Sequence, residues 1–361
     1  MSTTDAPVKI GLIGLGKAGL RHAAAARTSG DAVVVAVADP AEAAVQAAKD
    51  MDISYHSDFR SMLHEVDMDA VVISVPHKLL HPIGLAAAEH GKHILMEKPM
   101  AVTRNEARTL LRACRDAGVR LMVNFAHRFR TEYHQASTML KSGAIGRPVL
   151  VLDIMTSGSS YLPAWVWDPE TAGGGMMMYN GVHSIDRLAW LASSPIAEVS
   201  AAIGTFSYPV DLEDNAVATV RFHSGSLGAI IQHKSTAQAT PAEWQTMVYG
   251  TKGVLKIISG SGLELVSDKQ KVSLQVAEDD HFLGAIREFF TAIREERDPS
   301  PSGEDGVQAL TAVLALYEAA RTRRSVATLK EHEDEDSDER SRLAALPGAY
   351  RDRPGTGSAL N

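Results

Sequence analysis

Over its first 126 residues the chain alternates short, continuously apolar runs with stretches whose alanines and leucines recur at helical spacing. The runs are VKIGLIGLG from Val8, AVVVAVAD from Ala32, AVVISVP from Ala70, HILMEKP from His93 and RLMVNFAH from Arg120. Rich in Val and Ile and lacking polar alternation, they read as strands buried on both faces. AEAAVQAAKD and KLLHPIGLAAAEHG between them read as helices. TRNEARTLLRACRDAG opens with Thr103 and Glu106 in capping-box spacing and closes at Gly118. Strand and helix in alternation predict a parallel sheet with crossover helices.

The rhythm changes near residue 127. YHQASTMLKSGAIG predicts a helix with a glycine stop. Longer strands are expected in RPVLVLDIM, VSAAIGTF, NAVATVRFHSGSLGAIIQHK and TMVYGTKGVLKIIS, the third as a hairpin turning at Ser224–Gly225–Ser226. Residues 281 to 326 return to helix, broken by RDPSPSGEDG. The expected fold class is α/β, with a nucleotide-binding unit at 1–126 and an α+β unit at 127–330. The second unit is expected to hold an open, mainly antiparallel sheet, with its last helices free to pack back on the first. Residues 331–361 read as a charged, mobile tail, or as an arm gripping a neighbouring subunit.

Composition narrows the classes. With 45% apolar and 22% charged residues and a net charge of −8, nothing points to nucleic acid or an acidic membrane as partner. One cysteine, Cys114, excludes an internal disulfide and fits a reducing compartment. MSTTDAPVKI lacks the features of a signal peptide, and no apolar run spans a bilayer. A cytoplasmic protein is the expectation.

GLGKAG places Gly14, Gly16 and Gly19 in G-x-G-x-x-G spacing after a strand and before a helix. The first glycine permits a tight turn, the second lets backbone approach a pyrophosphate, and the third lets helix and strand pack closely. Lys17 and Ala18 begin the helix whose N-terminus would meet that phosphate. Asp39, 20 residues beyond Gly19, can accept both ribose hydroxyls of an adenosine. A carboxylate there would repel the 2′-phosphate of NADP, which favours NAD. Beyond the carboxyl ends of the later strands come Pro76, His77 and His81, then Glu97 and Lys98, then Asn124, His127 and Arg128. Ligands of such sheets bind at those ends. No metal-ligand cluster is visible.

The glycine fingerprint, the EKP at residues 97–99 and the later AGGG with GVHSIDRLAWL together resemble the glucose–fructose oxidoreductase/inositol dehydrogenase/rhizopine-catabolism family (Gfo/Idh/MocA) over about residues 7 to 328. The resemblance implies a Rossmann domain followed by a domain on an open antiparallel sheet that pairs subunits into dimers or tetramers. It implies hydride transfer between NAD or NADP and secondary carbinols of sugars or inositols. Lys98 would bond the reacting oxygen, Glu97 would help hold the cofactor, and His183 would match the catalytic histidine. Tyr179 stands where the family commonly has an aspartate. It is expected either to be the acid/base itself, its pKa lowered by Lys98, or to bond a substrate hydroxyl while His183 moves the proton. At 100° per residue, Tyr179, His183, Asp186 and Trp190 fall on one helical stripe. Arg128, Tyr161, Trp165, Trp167 and Asp168 are candidate substrate contacts at the mouth. Two other readings stay open: glycoside elimination with internally recycled NAD, and a non-catalytic NAD-binding sensor or scaffold.

Overall fold

A computed structural model of the chain describes residues 6–158, 162–277 and 280–328. The expected tail therefore lies outside the described residues, as does Tyr161. The first sheet is parallel and six-stranded: β1 (Val8–Ile13), β2 (Ala32–Ala38), β3 (Ser54–His56), β4 (Ala70–Ile73), β5 (His93–Met96) and β6 (Leu121–Val123), in the order β3-β2-β1-β4-β5-β6. Five of these are the apolar runs. The sixth, β3, was not expected, because three residues at a sheet edge are too few to show a period. β4 and β6 are buried along their whole length, as strands covered on both faces must be. The crossovers are α1 (Lys17–Ser29), α2 (Glu42–Met51), α3 (Phe59–Glu65), α4 (His77–Glu89) and α5 (Arg104–Asp116), the last opened by the Thr103–Glu106 capping box.

After α6 (Thr131–Lys141) a nine-stranded sheet forms from β7 (Pro148–Ser157), β8 (Ile196–Gly204), β9 (Asn215–Phe222), β10 (Leu227–Lys234), β11 (Glu243–Gly250), β12 (Gly253–Ile258), β13 (Gly262–Ser267), β14 (Lys271–Gln275) and β15 (Val326–Ala327). β9 and β10 form the hairpin expected at Ser224–Ser226. β13, β14 and β15 extend the sheet beyond the expected strands. Its neighbours pair antiparallel except β7 with β10, which run parallel, so the sheet is mixed. The short α7 (Pro169–Ala172) and α8 (Val182–Ala192) follow β7. α8 packs on β7 and β10, α6 on β12 and β13. The other face turns outward and exposes Val217, Leu227, Ile231, Ile258 and Val266. α9 (His281–Arg294) packs on α1, and α10 (Gly303–Thr322) on α5, α8 and β8, so both return to the seam between the sheets. No described helix is long and apolar enough to cross a membrane.

Two buried polar anchors fix the elements behind the cleft. On α8, the Arg187 guanidinium donates to Asp153 of β7 at 2.7 and 3.0 Å, both side chains having no exposure. Thr246 of β11 also donates to Asp153, at 2.7 Å, and Tyr133 of α6 reaches Thr246 at 3.1 Å. The second anchor is Glu213. It accepts the backbone N–H groups of Gly175 and Met177 at 2.9 and 2.8 Å and the Tyr317 hydroxyl at 2.8 Å. This gives the glycine run a physical reason. A Cβ on Gly174 would come within 2.5 Å of the Tyr317 hydroxyl, and one on Gly175 within 2.2 Å of the Glu213 carbonyl. The glycines let backbone dock onto α10 and the loop before β9.

Burial pushes the Glu213 carboxyl up to about 7, although its three donors favour the charged form. With the folded value above the ordinary 4.5, its contribution to stability is present at low pH and is lost as pH rises through about 7. Burial lowers the pKa values of His77, His127 and His183, and these act in the opposite direction. The difference between wild type and Glu213→Gln therefore isolates the carboxyl. In urea titrations that difference is expected to fall by up to roughly 3 kcal/mol between about pH 4.5 and 8. A difference that does not change with pH would show that Glu213 titrates normally.

Candidate active site

A cleft of about 690 Å³ opens at the carboxyl ends of the first sheet. Its floor is the glycine turn. Gly14 has φ +89°, and a Cβ there would lie 2.4 Å from the Ser74 carbonyl. A Cβ on Gly19 would lie 2.1 Å from the Gly14 carbonyl, so both positions demand glycine. A Cβ on Gly16 would meet nothing within 4 Å and would project into open space. Gly16 caps α1 without a side-chain hydrogen bond, leaving the first-turn N–H groups to a ligand phosphate. Lys17 and Ala18 line the same space. Asp39 is fixed at the end of β2, where Oδ2 accepts the Leu15 N–H at 2.7 Å and Oδ1 the Ala41 N–H at 2.8 Å. Phe59 and Arg60, unmarked by any sequence pattern, border the cleft, with the Arg60 guanidinium 4.5 Å over the Phe59 ring. These residues fit a dinucleotide: a turn open to phosphate, a helix start and a carboxylate at the ribose end.

Pro76 and His77 also line the cleft. His77 Nδ1 donates to the Ala172 carbonyl at 2.8 Å. Burial, and then the charge of Lys98, push its pKa down to about 3, so the ring is neutral with Nε2 free to accept. His81, one turn on, does not join it. Its Nε2 lies 3.0 Å from Thr109 on α5 and it does not line the cleft, which corrects its expected place at the cofactor.

Glu97 and Lys98 follow β5. Glu97 Oε1 accepts from Asn124 at 2.7 Å and lies 3.0 Å from His22 Nε2. Burial raises its pKa, but His22, Lys98 and Asn124 outweigh burial and leave it below the usual range. His22 was legible in principle, since it falls with Gly19, Ala23 and Ala26 on the buried stripe of α1. Lys98 Nζ donates to the Tyr179 carbonyl at 2.5 Å and sits 4.7 Å from the centre of that ring. Burial lowers its pKa and Glu97 opposes the drop.

Tyr179 lies in a π-helical turn, Met177–Gly181, just before α8. The wider turn breaks the single stripe expected from a regular helix. Tyr179 faces the cleft with His77 and Trp165, their ring centroids 6.1 and 6.0 Å away. Asp186 turns instead to Arg128. Burial, and then Glu97, raise the Tyr179 pKa. The expectation that Lys98 lowers it is overturned: Lys98 spends its bond on the carbonyl and its charge on the ring face.

His183 is 8% exposed, and among the described residues its Nδ1 has no hydrogen-bond partner. Its ring lies parallel to that of His127, with centroids 4.3 Å apart and planes at 10°. Burial, followed by Lys98, Arg187, His281 and Arg130, holds its pKa well below the ordinary 6.5. A neutral imidazole can take a proton.

The expected mouth is largely structural. Arg128 is 7% exposed and donates to Asp186 at 2.6 to 3.2 Å and to Asp305 at 2.9 Å. It knits α8 to α10 and does not line the cleft. Asp168 is exposed, caps α7 and accepts from Thr171. Trp167 stacks on Tyr208 at 4.4 Å. Of the tryptophans here only Trp165 borders the cleft, edge-on to His77 at 4.7 Å.

Comparison with known proteins identifies the family. Residues 8–125 match the model of the GFO/IDH/MocA oxidoreductase family with NAD-binding Rossmann fold, and residues 133–256 match the GFO/IDH/MocA C-terminal domain. The 1,5-anhydro-D-fructose reductase of Ensifer adhaerens is 31% identical over 82% of this chain and 91% of its own. The myo-inositol 2-dehydrogenase of Thermotoga maritima is 24% identical over 88% and 98%. A levoglucosan dehydrogenase solved with NADH and levoglucosan superposes with a TM-score of 0.81 and 25% identity, over 90% of this chain and all of that one. Family models cover both sheets, and the glycine turn, Lys98 and Tyr179 line one cleft: the chain belongs to the GFO/IDH/MocA family of NAD(P)-binding oxidoreductases.

Proposed function

We propose that the protein is an NAD-dependent dehydrogenase that interconverts a secondary carbinol and a ketone on a sugar, an inositol or a sugar derivative. The observation that carries this reading is that Lys98, at the end of a buried strand, lines the same cleft as the glycine turn and is held there by the Tyr179 carbonyl. The nicotinamide, when bound, supplies the acceptor or donor of hydride. The turn at Gly14, Gly16 and Gly19 with Lys17 and Ala18, the Asp39 carboxylate, and Pro76, His77 and Glu97 would hold the dinucleotide. Lys98 has three N–H donors and spends one on Tyr179. A second bonds the reacting oxygen and stabilises its alkoxide character. His183 takes the hydroxyl proton in oxidation and returns it in reduction. The Tyr179 phenol, kept protonated by its raised pKa, donates to a substrate hydroxyl, and Trp165 offers an apolar face to the ring. We place the activity in the cytoplasm, where a lone reduced cysteine such as Cys114 is the rule.

Formation of NADH across inositols, aldoses, anhydrosugars and glycosides tests the reading. Turnover on one class is expected, falling at least about 10²-fold in Lys98→Ala and in His183→Ala. Glycoside consumed with no net NADH would move the mechanism to oxidation and elimination on recycled NAD. No reaction of either kind would sink the dehydrogenase reading.

The cofactor form follows from Asp39. Fluorescence titration is expected to show NADH binding more tightly than NADPH, with the gap narrowed in Asp39→Ser. Tighter binding of NADPH by the wild type would refute this assignment.

The outward sheet face bears Val217, Leu227, Ile231, Ile258 and Val266, each 38 to 56% exposed, and an apolar face of this kind fits subunit contact. We propose a homodimer or homotetramer paired through it. Sedimentation is expected to give a multiple of 38.7 kDa, reduced in Ile231→Glu. A wild-type monomer would exclude it.

A further inference from the structure

A general base needs a fixed ring plane, and a hydrogen bond at the second ring nitrogen commonly supplies it. His183 has no such bond: Nδ1 is buried and unpartnered among the described residues. What lies against it is the His127 ring, parallel at 4.3 Å, with the Phe125 edge at 6.1 Å. His127 is itself held from behind. Arg187 Nη1 bonds His127 Nδ1, while its other nitrogens grip Asp153 and Ser184. A guanidinium only donates, so Nδ1 of His127 must accept and its single proton sits on Nε2. That clamp fixes the tautomer of His127, its rotation and its neutrality together. Trp244 of β11 packs on the remaining side, 5.0 Å away.

We propose that His127 is the positioning residue for His183: clamped by Arg187 and laid parallel against the base, its ring fixes the plane of the imidazole where no hydrogen bond does. This rests on the proposed role of His183. The charged and titratable groups facing His183 are Lys98 after β5, Arg187 on its own helix, His127 and Arg130 beside the turn after β6, and His281 on α9. Stacking on a neutral His127 keeps solvent from His183 without adding another positive charge. Removing the ring admits water and frees the base.

Two variants separate the halves of the device. His127→Asn removes the ring and keeps an oxygen acceptor for Arg187. His127→Phe keeps a ring face and removes the acceptor. In the full-length protein, imidazole C–H signals of labelled histidines report the His183 titration without any substrate, assigned with His183→Asn. In His127→Asn, that titration is expected to move up by about one pH unit or more toward the ordinary range as burial is relieved. The acid limb of kcat should move with it, kcat should fall about 10- to 100-fold, and KM for NAD should hold. In His127→Phe most of kcat should be retained. An unchanged His183 titration in folded His127→Asn overturns the proposal, as does equal loss of kcat in both variants. If the asparagine variant does not fold, His127→Gln offers Arg187 the same acceptor and carries the same test. A wild type inert on every sugar would defeat the dehydrogenase reading and still leave the titration to judge the ring stack.

Discussion

Most of the candidate site hangs on the buried ion pair between Arg187 and Asp153. Neither side chain has any exposure, so loss of one partner would strand the other charge in the interior, at a cost of about 3–5 kcal/mol. The pair satisfies that demand by recruiting neighbours. Thr246 and Tyr133 complete the acid side, and Ser184 and His127 complete the guanidinium side. Those partners come from β11, α6, α8 and the turn after β6. One helical turn before Arg187 sits His183, so the anchor and the candidate base share a rigid segment. Arg128 repeats the device on a neighbouring face of α8 by joining Asp186 to Asp305 of α10. The seam between the two sheets is thereby held by charge pairs that cannot slip without exposing a buried ion.

The same burial sorts the titratable groups into different states. Desolvation penalises every charge at the seam, and only groups with a partner escape it. Glu97 stays ionised because His22, Asn124 and Lys98 face it. Lys98 has Glu97 in return. His183 has cations around it and no carboxylate bonded to it, so it stays neutral. Burial, and then Glu97, hold the proton on Tyr179. A charged donor, a neutral acceptor and a protonated phenol thus follow from which residues received counter-charges.

Where the sequence spoke clearly, it spoke through local physics. Continuous Val and Ile runs mark buried strands, and the glycine turn is demanded by atoms a few residues away or on the adjoining strand. Lys98 stood out because a lysine ending a buried strand is unusual in itself, whereas His183 was singled out by the family resemblance and not by its local pattern. What failed was long-range. Nothing near Arg128 announces Asp186 or Asp305, 58 and 177 residues on, so an arginine at a strand end passed for a substrate contact. The glycine run answers to Glu213 and Tyr317, separated from it by dozens of residues. The parallel pairing of β7 with β10 depends on everything folded between them. The π-helical turn cannot be seen in a periodicity that assumes one pitch.

That turn changes what Tyr179 can be. The family resemblance implies a carboxylate at this position, which would place a counter-charge between Lys98 and the base. The phenol supplies none. Lys98 is held instead by the Tyr179 carbonyl and ring face, neither of which neutralises an imidazolium. In the proposed reaction, a proton taken by His183 therefore arrives among Lys98, Arg187 and Arg130 with no anion bonded to the ring. Such an imidazolium is short-lived and must pass its proton on quickly. A site with a carboxylate would gain speed from a strong base. In the proposed reaction this site would rely instead on a base that is neutral before the transfer and held in one orientation, so its performance would depend on how firmly the ring is held.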